Sequence, residues 1–367
     1  MKVILIVACF FIWGAKAQEE IVNIPDNVFK TYLLGQTGIN INGDNEIQVS
    51  EANAFTGEIN VTNLGISDLT GIESFTSLPK LMARNNNLTF LNISNNTALI
   101  DLNCAQNQLS TLDLSNNIAL MKLECSYNQL TALDISINTA LTNFNSSYNP
   151  LSSLDVTNNT ALVFLSCAEN QLSALDVYNN TALSYLSCYN NQLTSLDVSN
   201  NPGLTLLAFG NNKLTSLDIS GNLALTYLAC FNNKLISLNI ANGNNINFTT
   251  LNTTGNPDLV CIQVDDEDYS NANWTGGSLQ KDAASTFSED CETLRTSDFT
   301  IETTRLYPNP ATDFVYITKA QEAKIFDLTG KLLIHHNIEN SIDVSFLNSG
   351  IYILETSEGV KMKFVKK

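Results

Sequence analysis

The feature that most constrains this chain is a repeat of 21 residues. Between residues 81 and 256 one phrase recurs, and "LSYLSCYNNQLTSLDVSNN" (183–201) is a representative copy. The aspartates that keep this period are Asp113, Asp134, Asp155, Asp176, Asp197 and Asp218. A unit this short cannot bury its apolar side alone, and copies at a fixed period stack on their neighbours. The repeat therefore predicts a solenoid of stacked coils.

Alternation within each unit predicts which side chains face the core. Successive residues of a strand point to opposite faces, so L-x-C and L-D-V each place their first and third residues inside. In one coil the predicted core positions are Leu183, Leu186, Cys188, Leu193, Leu196 and Val198. Asparagine occupies two further phases, represented by Asn191 and Asn201. We expect these asparagines to turn the chain at the coil corners and to bond backbone groups of the next coil.

Each unit contains two copies of L-x-x-L-x-L-x-x-N, namely "LSYLSCYNN" and "LTSLDVSNN". The chain therefore resembles the bacterial leucine-rich repeat proteins whose units nest 10 and 11 residues. This resemblance implies a leucine-rich repeat solenoid, mostly of short parallel β-strands and loops, which we place at 58–260. Residues 59–81 form a variant first coil of period 22, and 247–259 form a last coil displaced by two residues.

Composition disfavours several functions. The 367 residues include 18 Lys and Arg and 36 Asp and Glu, which gives a formal net charge of -18. Nucleic-acid binding needs clustered Lys and Arg, so it is not expected. The two histidines, His335 and His336, are adjacent, which leaves too few imidazoles for a His-based triad or a zinc site with several histidines. We therefore predict no catalytic activity.

The N-terminal stretch "MKVILIVACFFIWGAKAQ" has the marks of a secretory signal peptide. Lys2 precedes an apolar run, and Ala15 and Ala17 form a small-x-small cleavage signal. We predict a signal peptide at 1–17 and a mature protein that leaves the cytoplasm. No later stretch has 18 consecutive apolar residues, so no membrane span is predicted.

A loop near the start, "NINGDNEIQVSE" (40–51), resembles an EF-hand calcium loop. The resemblance implies calcium ligands at Asn40, Asn42, Asp44, Glu46 and Glu51. Asn40 stands where the motif has Asp, and Asn45 stands where it has Gly. Helices are predicted over 28–34 and from about 49. We predict that 18–57 is a small helical N-terminal cap, whether or not its loop holds calcium.

The cysteines fall into two groups. Cys261 and Cys291 bracket an acidic segment after the last coil, and a disulfide between them would hold a C-terminal cap within 261–305. The repeat cysteines leave three alternatives, namely disulfides between neighbouring coils, a metal site, or core packing. Stacked parallel side chains suit a disulfide poorly, and Ser146 and Phe209 interrupt the cysteine phase. These observations favour core packing.

The aspartate phase leaves two alternatives open. In the first, each carboxylate bonds nearby backbone N–H groups or the Ser and Thr hydroxyls three residues earlier in the chain. In the second, the column of carboxylates binds divalent cations weakly. Glycoside hydrolysis is not expected, because it needs two carboxyl groups in unequal environments and the repeat supplies equal ones.

Aromatic residues recur at outward phases in the first half of the unit. Exposed aromatics on one face of a solenoid offer a large and rigid contact area, although the same rings could merely shield the strands. We predict that they form a ligand-binding face. The predicted face comprises Tyr127, Tyr148, Phe164, Tyr185, Tyr189, Tyr227 and Phe231.

Residues 306–367 differ from the repeats. Alternating segments separated by turns such as "DLTGK" and "NSG" predict a small C-terminal β-sandwich domain. The motifs "YPNP" (307–310) and "GIY" (350–352) and the basic end resemble the type A C-terminal sorting domain of proteins exported by the type IX secretion system of Bacteroidetes. The resemblance implies passage across the outer membrane, with the type IX machinery as a partner. His335 and His336 are expected to be solvated rather than catalytic.

Together these features predict a secreted or cell-surface protein that binds an extracellular protein or a glycan through its repeats. Two alternatives stay open. One is a structural surface component without a soluble ligand. The other is an enzyme or inhibitor whose activity lies in 261–291, although that segment offers no pair of a nucleophile and a base.

Overall fold

A computed structural model of the protein describes residues 19–274, 276–291, 306–307, 310–317, 322–337, 341–357 and 361–367. The chain divides into two compact units, Met1–Cys291 and Glu292–Lys367. The predicted signal peptide at 1–17 lies outside the described residues.

In the part of the first unit that the structure describes, short strands are flanked by three short α-helices. The helices are α1 (Asn27–Leu34), α2 (Val49–Ala54) and α3 (Glu267–Asn273), and 3-10 turns occupy Ile72–Ser74 and Asn245–Asn247. The strands are β1 (Glu58–Asn60), β2 (Lys80–Met82), β3 (Asp101–Asn103), β4 (Lys122–Glu124), β5 (Asn143–Asn145), β6 (Phe164–Ser166), β7 (Tyr185–Ser187), β8 (Leu206–Ala208), β9 (Ser216–Asp218), β10 (Tyr227–Ala229), β11 (Ser237–Asn239), β12 (Thr250–Asn252), β13 (Cys261–Gln263), β14 (Leu279–Gln280) and β15 (Thr286–Ser288).

Eleven of these strands form one parallel sheet that follows the repeat. Its order is β1-β2-β3-β4-β5-β6-β7-β8-β10-β12-β14. Leu186 pairs with Leu165 on one side and with Leu207 on the other, so neighbouring strands are 21 residues apart. The first pair joins Ile59 to Leu81, which confirms the variant first coil. The sheet is thus one strand per coil, stacked in sequence order.

The second half of each unit was expected to form a strand, but in most coils it does not. L-D-V segments form strands only at β9 and β11, which continue through β13 and β15 as a four-stranded parallel sheet. Elsewhere the carbonyls of this segment accept hydrogen bonds from asparagine side chains, as Val156 O does from Asn180 Nδ2 at 2.9 Å. These coils are therefore joined on this side by side-chain amides rather than by a strand ladder.

One hydrophobic cluster runs through the described residues of the first unit, from Val22 to Phe287. It contains Phe29 and Leu33 of α1 at one end and Trp274 and Phe287 at the other, with the repeat leucines between them. The predicted inward positions of the coil at 183–198 are all buried. Because each fully buried large apolar side chain contributes about 1.5–3 kcal/mol, this continuous core is the main stabilising feature of the solenoid.

One phase of asparagines is fully hydrogen-bonded inside the stack. Asn170 Nδ2 donates to Ser146 O at 3.2 Å and to Cys167 O at 3.0 Å, while its Oδ1 accepts from Leu151 N at 3.1 Å. The partners lie in the preceding coil and in the residue's own coil, not in the following coil as the sequence suggested. The corresponding residues are Asn86, Asn107, Asn128, Asn149, Asn191, Asn212 and Asn233.

In the second asparagine phase only the side-chain nitrogen forms hydrogen bonds, and the side-chain oxygen has no partner among the described residues. Asn180 Nδ2 donates to Val156 O and to Asn159 O, both at 2.9 Å. Its Oδ1 is buried and has no hydrogen-bond partner among the described residues. The same holds for Asn96, Asn117, Asn138, Asn159, Asn201 and Asn222. This phase is expected to stabilise the stack less than the first, since a buried acceptor without a donor is unfavourable.

The cysteine and aspartate phases each have the same local environment from coil to coil. Cys104, Cys125, Cys167, Cys188 and Cys230 are unpaired and buried. Burial raises the pKa of the Cys104 thiol to about 12, so it stays protonated at neutral pH. Asp134 accepts a hydrogen bond from the backbone N–H of Ser136, two residues on, rather than from the hydroxyl three residues earlier. Among the described residues, no cluster of three or more His, Cys, Asp or Glu is arranged to hold a metal.

The strands that the structure describes in the second unit pair antiparallel, and one isolated parallel bridge joins Ala311 to Lys366. The strands of this unit are β16 (Leu306–Tyr307), β17 (Phe314–Ile317), β18 (Glu322–Phe326), β19 (Leu332–Asn337), β20 (Ile342–Asp343), β21 (Gly350–Thr356) and β22 (Lys361–Lys366). They form two sheets, β16-β17-β20 and β19-β18-β21-β22. Both sheets contribute to one hydrophobic cluster, which includes Val315 and Ile342 from the first and Ile325 and Phe364 from the second.

Candidate ligand-binding face

The outward side of the eleven-stranded sheet carries three columns of side chains. In each coil these are the first residue of the strand, the third residue, and the residue two positions beyond the strand. In β7, for example, they are Tyr185, Ser187 and Tyr189, while Leu186 and Cys188 between them are buried. We call this side the strand face.

The structure distributes the seven predicted aromatics over two parts of this face. Phe164, Tyr185 and Tyr227 begin strands β6, β7 and β10, and Tyr189 and Phe231 lie two residues beyond β7 and β10. These five rings are called the aromatic platform below. The other two, Tyr127 and Tyr148, were expected at an outward strand phase. They lie instead in the turn after the strand, at φ values of 53° and 58°.

Contacts between rings link these residues across the coils. Phe164 stacks on Tyr185 with ring centroids 4.3 Å apart and planes at 17°. Tyr127 stacks on Tyr148 with centroids 4.0 Å apart, and the hydroxyls of Tyr148 and Tyr189 are 3.1 Å apart, within hydrogen-bond distance. Five of the seven rings are therefore in contact, as a group of three (Tyr127, Tyr148 and Tyr189) and a pair (Phe164 and Tyr185).

The turn that holds Tyr127 and Tyr148 favours other residues. The same phase has positive φ in every coil from Asn85 to Asn232, and asparagine tolerates this conformation better than tyrosine does. Backbone strain of this kind persists where the surrounding structure or a function holds it in place. The two tyrosines are thus not explained by local backbone preference.

Small residues support the aromatic platform. Ser166, Ser187 and Ala229 occupy the third strand position, on the outward side of the sheet, yet they are only 8%, 2% and 5% exposed. A Cβ added to Gly210 would lie 2.5 Å from Cε1 of Phe231, so the Phe231 ring rests directly on that glycine. These supporting residues were missed in the sequence, although reading the third strand position down the repeat would have shown them.

The N-terminal half of the strand face is charged and polar. Lys80 forms an ion pair with Glu58 at 3.0 Å, and its amine lies 3.9 Å from Asp101. A shallow depression of about 290 Å³ is lined by strand residues from Asp101 to Phe164. The character of the face therefore changes from charged to aromatic at about β6.

The loop predicted to bind calcium brings most of its polar side chains together. Asn42 Nδ2 donates to Asp44 Oδ2 at 2.9 Å, and Glu51 Oε1 accepts from the backbone N–H of Asn42 at 3.1 Å. Asn40 Nδ2 donates to the backbone carbonyl of Asp44. Glu46 is different, because its carboxylate points to Lys30 and forms an ion pair with it at 2.6 Å.

The hydrogen bonds of this loop favour the charged form of Asp44. The backbone N–H of Glu46 holds the pKa of Asp44 below its usual range, with help from Gln48 and Asn42. Glu51 is only 8% exposed and also accepts from the backbone N–H of Gln48 at 3.1 Å. The loop is therefore a pre-formed, oxygen-rich turn.

The predicted C-terminal disulfide is confirmed. Cys261 and Cys291 are bonded, with Cα atoms 5.7 Å apart. The segment between them contains α3 and β15, and Trp274 packs edge-on against Phe287 with centroids 5.3 Å apart. A depression of about 550 Å³ lies here, lined by residues from Thr254 to Phe287.

Comparison with solved structures assigns the fold of the first unit. An internalin (InlF) of Listeria monocytogenes is 21% identical, with a TM-score of 0.51, over 68% of this chain and 87% of that one. A leucine-rich repeat protein of Leptospira interrogans is 20% identical over 67% and 60%, with a TM-score of 0.47. The functional domain of InlJ from Listeria monocytogenes, which includes a cysteine ladder, is 19% identical over 95% and 100%, with a TM-score of 0.45. Together with the repeat, the first likeness defines the class as leucine-rich repeat solenoid proteins.

The C-terminal residues make the identification more specific. Residues 305–367 match the family model described as a secretion system C-terminal sorting domain. The first unit thus has the leucine-rich repeat fold, and the C-terminal residues match the sorting domain of the type IX secretion system. The sorting domain implies export, with secretion or an outer-surface location as the result. Pro308 and Asn309 of its "YPNP" motif lie outside the described residues.

One curated protein, the beta-agarase D of Zobellia galactanivorans, is 42% identical over 71 residues. The match covers 17% of this chain, and this chain spans 15% of that protein's length. Within the described residues, no helix combines the length and the apolar character that crossing a membrane requires.

Proposed function

We propose that this protein is an exported binding protein that recognises an extracellular ligand through the aromatic part of its strand face. The observation that carries this proposal is the concentration of seven aromatic side chains on one side of the solenoid, five of which contact one another as a group of three and a pair. Rigid aromatic rings give much contact area at little conformational cost, which is why they dominate binding surfaces. The ion pairs at β1 to β3 leave the N-terminal part of the face less suited to the same role.

The placement of Tyr127 and Tyr148 supports this proposal independently. A residue that serves only the fold at a positive-φ turn is expected to be Asn or Gly; four of the other six coils have Asn there, and the remaining two have Gln106 and Glu169. Conflict between local preference and the residue present is expected at functional sites. We infer that these two tyrosines are retained for contact with a ligand.

In this proposal the remaining parts of the chain either direct export or cap the ends of the solenoid. Residues 1–17 are a signal peptide, 18–57 form an N-terminal cap and 261–305 form a C-terminal cap with a linker. Residues 306–367 form a β-sandwich that the type IX machinery recognises. The caps are supported by Phe29, Leu33, Trp274 and Phe287, which belong to the same hydrophobic cluster as the repeat leucines.

The binding role is tested by removing the exposed rings together. We expect the full chain carrying Tyr185→Ser, Tyr189→Ser, Tyr227→Ser and Phe231→Ser to lose at least tenfold in retention on intact cells. The measurement is binding of the fluorescently labelled chain to bacterial and animal cells in suspension. Tyr178→Ser is the matched control, because Tyr178 is 55% exposed and lies in the other half of its coil.

Two outcomes would contradict the proposal. Equal retention of the four-residue variant and the unchanged protein would dismiss the aromatic residues as a binding surface. Self-association of the full chain in sizing chromatography, without retention on any cell, would favour the structural surface component instead.

We also infer that the loop at 40–51 binds calcium. Calcium takes six to eight oxygen ligands, and this loop gathers side-chain oxygens from Asn40, Asn42, Asp44 and Glu51 within one turn. The low pKa of Asp44 keeps one of these ligands ionised, as a cation requires. The side chain of Glu46 is a less suitable calcium ligand, because its carboxylate already forms an ion pair with Lys30.

Calcium binding is tested by calorimetric titration of the EDTA-treated full chain. We expect one site with a Kd of roughly 10⁻⁴–10⁻³ M, the range of extracellular modules. Asp44→Ala is expected to abolish the binding heat, while Glu58→Gln, a carboxylate that pairs with Lys80, leaves it unchanged. An unchanged isotherm for Asp44→Ala, or no heat above dilution for the original chain, would remove this site.

A further inference from the structure

The depression of about 290 Å³ on the strand face lies over β5, where the charged half of the face meets the aromatic half. Its walls come from β3 and β4 on one side and from β6 on the other. The outward residues of β5 itself, Asn143 and Asn145, have short side chains and form its base. The volume lies at the lower end of the range for small-molecule sites, about 300–1,000 Å³. It therefore suits a single long side chain.

The wall on the β6 side is the ring of Phe164. One face of this ring stacks on Tyr185 of β7, with centroids 4.3 Å apart and planes at 17°. All other residues of the lining belong to β3, β4 and β5, so the depression meets the opposite face of the Phe164 ring. The face of an aromatic ring is negative and attracts a cation that lies against it. The stack on Tyr185 holds the ring in the position that this contact requires.

The opposite wall includes the carboxylate of Glu124, which two hydrogen bonds hold in place. Ser126 Oγ donates to Glu124 Oε1 at 2.6 Å, and Asn145 Nδ2 donates to Glu124 Oε2 at 3.0 Å. The bond from Asn145 draws the carboxylate toward β5, and so toward the depression. A carboxylate has about four lone-pair sites, so both oxygens can accept a further hydrogen bond. Glu124 is thus a fixed acceptor on the other side of β5 from Phe164.

The charged groups of the lining leave an excess of negative charge. The lining contains two carboxylates, Asp101 and Glu124, and one amine, that of Lys122. Lys122 is exposed, so its amine can turn toward solvent when another cation binds. Asp101 already has a cation nearby, because the amine of Lys80 lies 3.9 Å from its carboxylate. Glu124 is therefore the main charged acceptor for a ligand, on a chain whose net charge of -18 attracts cationic partners.

A guanidinium group matches both walls at once. It is planar, so its face can lie on an aromatic ring while its N–H groups donate to a carboxylate in the same plane. The amide oxygens of Asn143 and Asn145 supply further acceptors for its five N–H groups. An ammonium group is compact and strongly hydrated and has no flat face to stack. An anionic group would be repelled by Glu124.

We propose that the depression over β5 binds an arginine side chain of a protein partner, with its guanidinium between Phe164 and Glu124. This inference rests on the proposed binding function and names the class of ligand and one of its anchors. A protein is favoured over a free small molecule because the depression is continuous with the aromatic platform, which begins at Phe164. Residues around the bound arginine can then contact the neighbouring rings, and arginine is one of the residues that dominate protein interfaces.

The test is saturation-transfer NMR with the full chain and N-acetylarginine N-methylamide as the probe. The matched probes are the citrulline derivative, which has the shape without the charge, the lysine derivative, which has the charge without the plane, and the glutamate derivative. We expect the arginine probe to bind in the millimolar range, the lysine probe several-fold more weakly, and the other two about tenfold more weakly. Equal binding of the arginine and citrulline probes, tighter binding of the glutamate probe, or no binding of the arginine probe would overturn the proposal.

Variants locate the binding in the depression. We expect Glu124→Gln to weaken binding of the arginine probe about tenfold. Asp134→Asn removes the same charge from the other half of a coil, where Asp134 is exposed, and is expected to change binding by less than about twofold. Phe164→Leu keeps an apolar side chain without the ring, so the preference for arginine over lysine should disappear. Equal losses in Glu124→Gln and Asp134→Asn would indicate general attraction to an acidic protein and would remove the site.

Failure of this site and failure of the proposed function give different results. The four residues replaced in the cell-retention experiment do not line the depression. Loss of cell retention in that variant, without binding of the arginine probe, would leave the binding function standing and remove the arginine site. Retention that is lost after the arginines of the cell surface are blocked with phenylglyoxal, but kept after its lysines are acetylated, would support the site directly.

Discussion

Replacing Asn170 by Ala is expected to reduce the free energy of unfolding by about 3–5 kcal/mol. The amide of Asn170 donates to Ser146 O and Cys167 O and accepts from Leu151 N, all in the interior. Each buried backbone group left without a partner costs about 1–3 kcal/mol, and these costs are only partly additive. The measurement is urea-induced unfolding followed by far-UV circular dichroism.

Two asparagines close to Asn170 serve as controls. Asn180→Ala removes two donated bonds but also removes a buried Oδ1 that has no partner among the described residues, so a smaller loss is expected. Asn158 is exposed, and Asn158→Ala is expected to change stability by less than about 0.5 kcal/mol. A loss at Asn170 no greater than that at Asn158 would contradict the role of the first asparagine phase.

Replacing Phe209 by Ala is expected to cost about 3–5 kcal/mol, the range for large buried aromatics. Phe209 is fully buried and occupies the phase that holds cysteine in most coils. Removal of its ring leaves a cavity that the stacked coils on either side cannot close, because the register of both is held by the sheet. Urea unfolding of the full chain measures the change.

Cys188→Ala is the comparison within the same phase. Because it removes a single sulfur from a buried position, we expect a loss below about 1.5 kcal/mol and an intact fold. If Cys188→Ala proved as damaging as Phe209→Ala, the cysteines would have a role beyond packing, such as a metal or a disulfide in the native protein.

Much of the solenoid could be predicted because its pattern is both local and periodic. The alternation around Leu186 and Cys188 predicts their inward direction, and the step of 21 predicts their neighbours. Both predictions are confirmed by the burial and register of these residues. The pairing of Cys261 with Cys291 was predictable because no other cysteine follows the repeats.

Other features could not be read from the pattern. Counting phases placed Tyr127 and Tyr148 on a strand, because counting does not register where the backbone turns to positive φ. Other coils have asparagine at this phase, namely Asn190, Asn211 and Asn232. Those asparagines could have indicated a turn with positive φ. The direction of the asparagine hydrogen bonds depends on the geometry of stacking, which no sequence period contains.

Only part of the candidate binding face could be predicted from the sequence. The aromatics stand out, but their support by Gly210 and Ser187 involves residues that carry no chemical signal of their own. The contact of Phe231 with Gly210 joins residues 21 positions apart, so it emerges only when the chain is folded into coils. Whether rings stand up or lie flat is a matter of packing.

Because successive strands pair in steps of 21 residues, the eleven-stranded sheet lengthens or shortens by whole coils. One additional unit inserted between β7 and β8 would extend the sheet by one strand spacing, about 4.8 Å, and leave both ends of the chain unchanged. Duplication or loss of a single unit would therefore change the area of the strand face in discrete increments, while the packing inside every other coil stays the same.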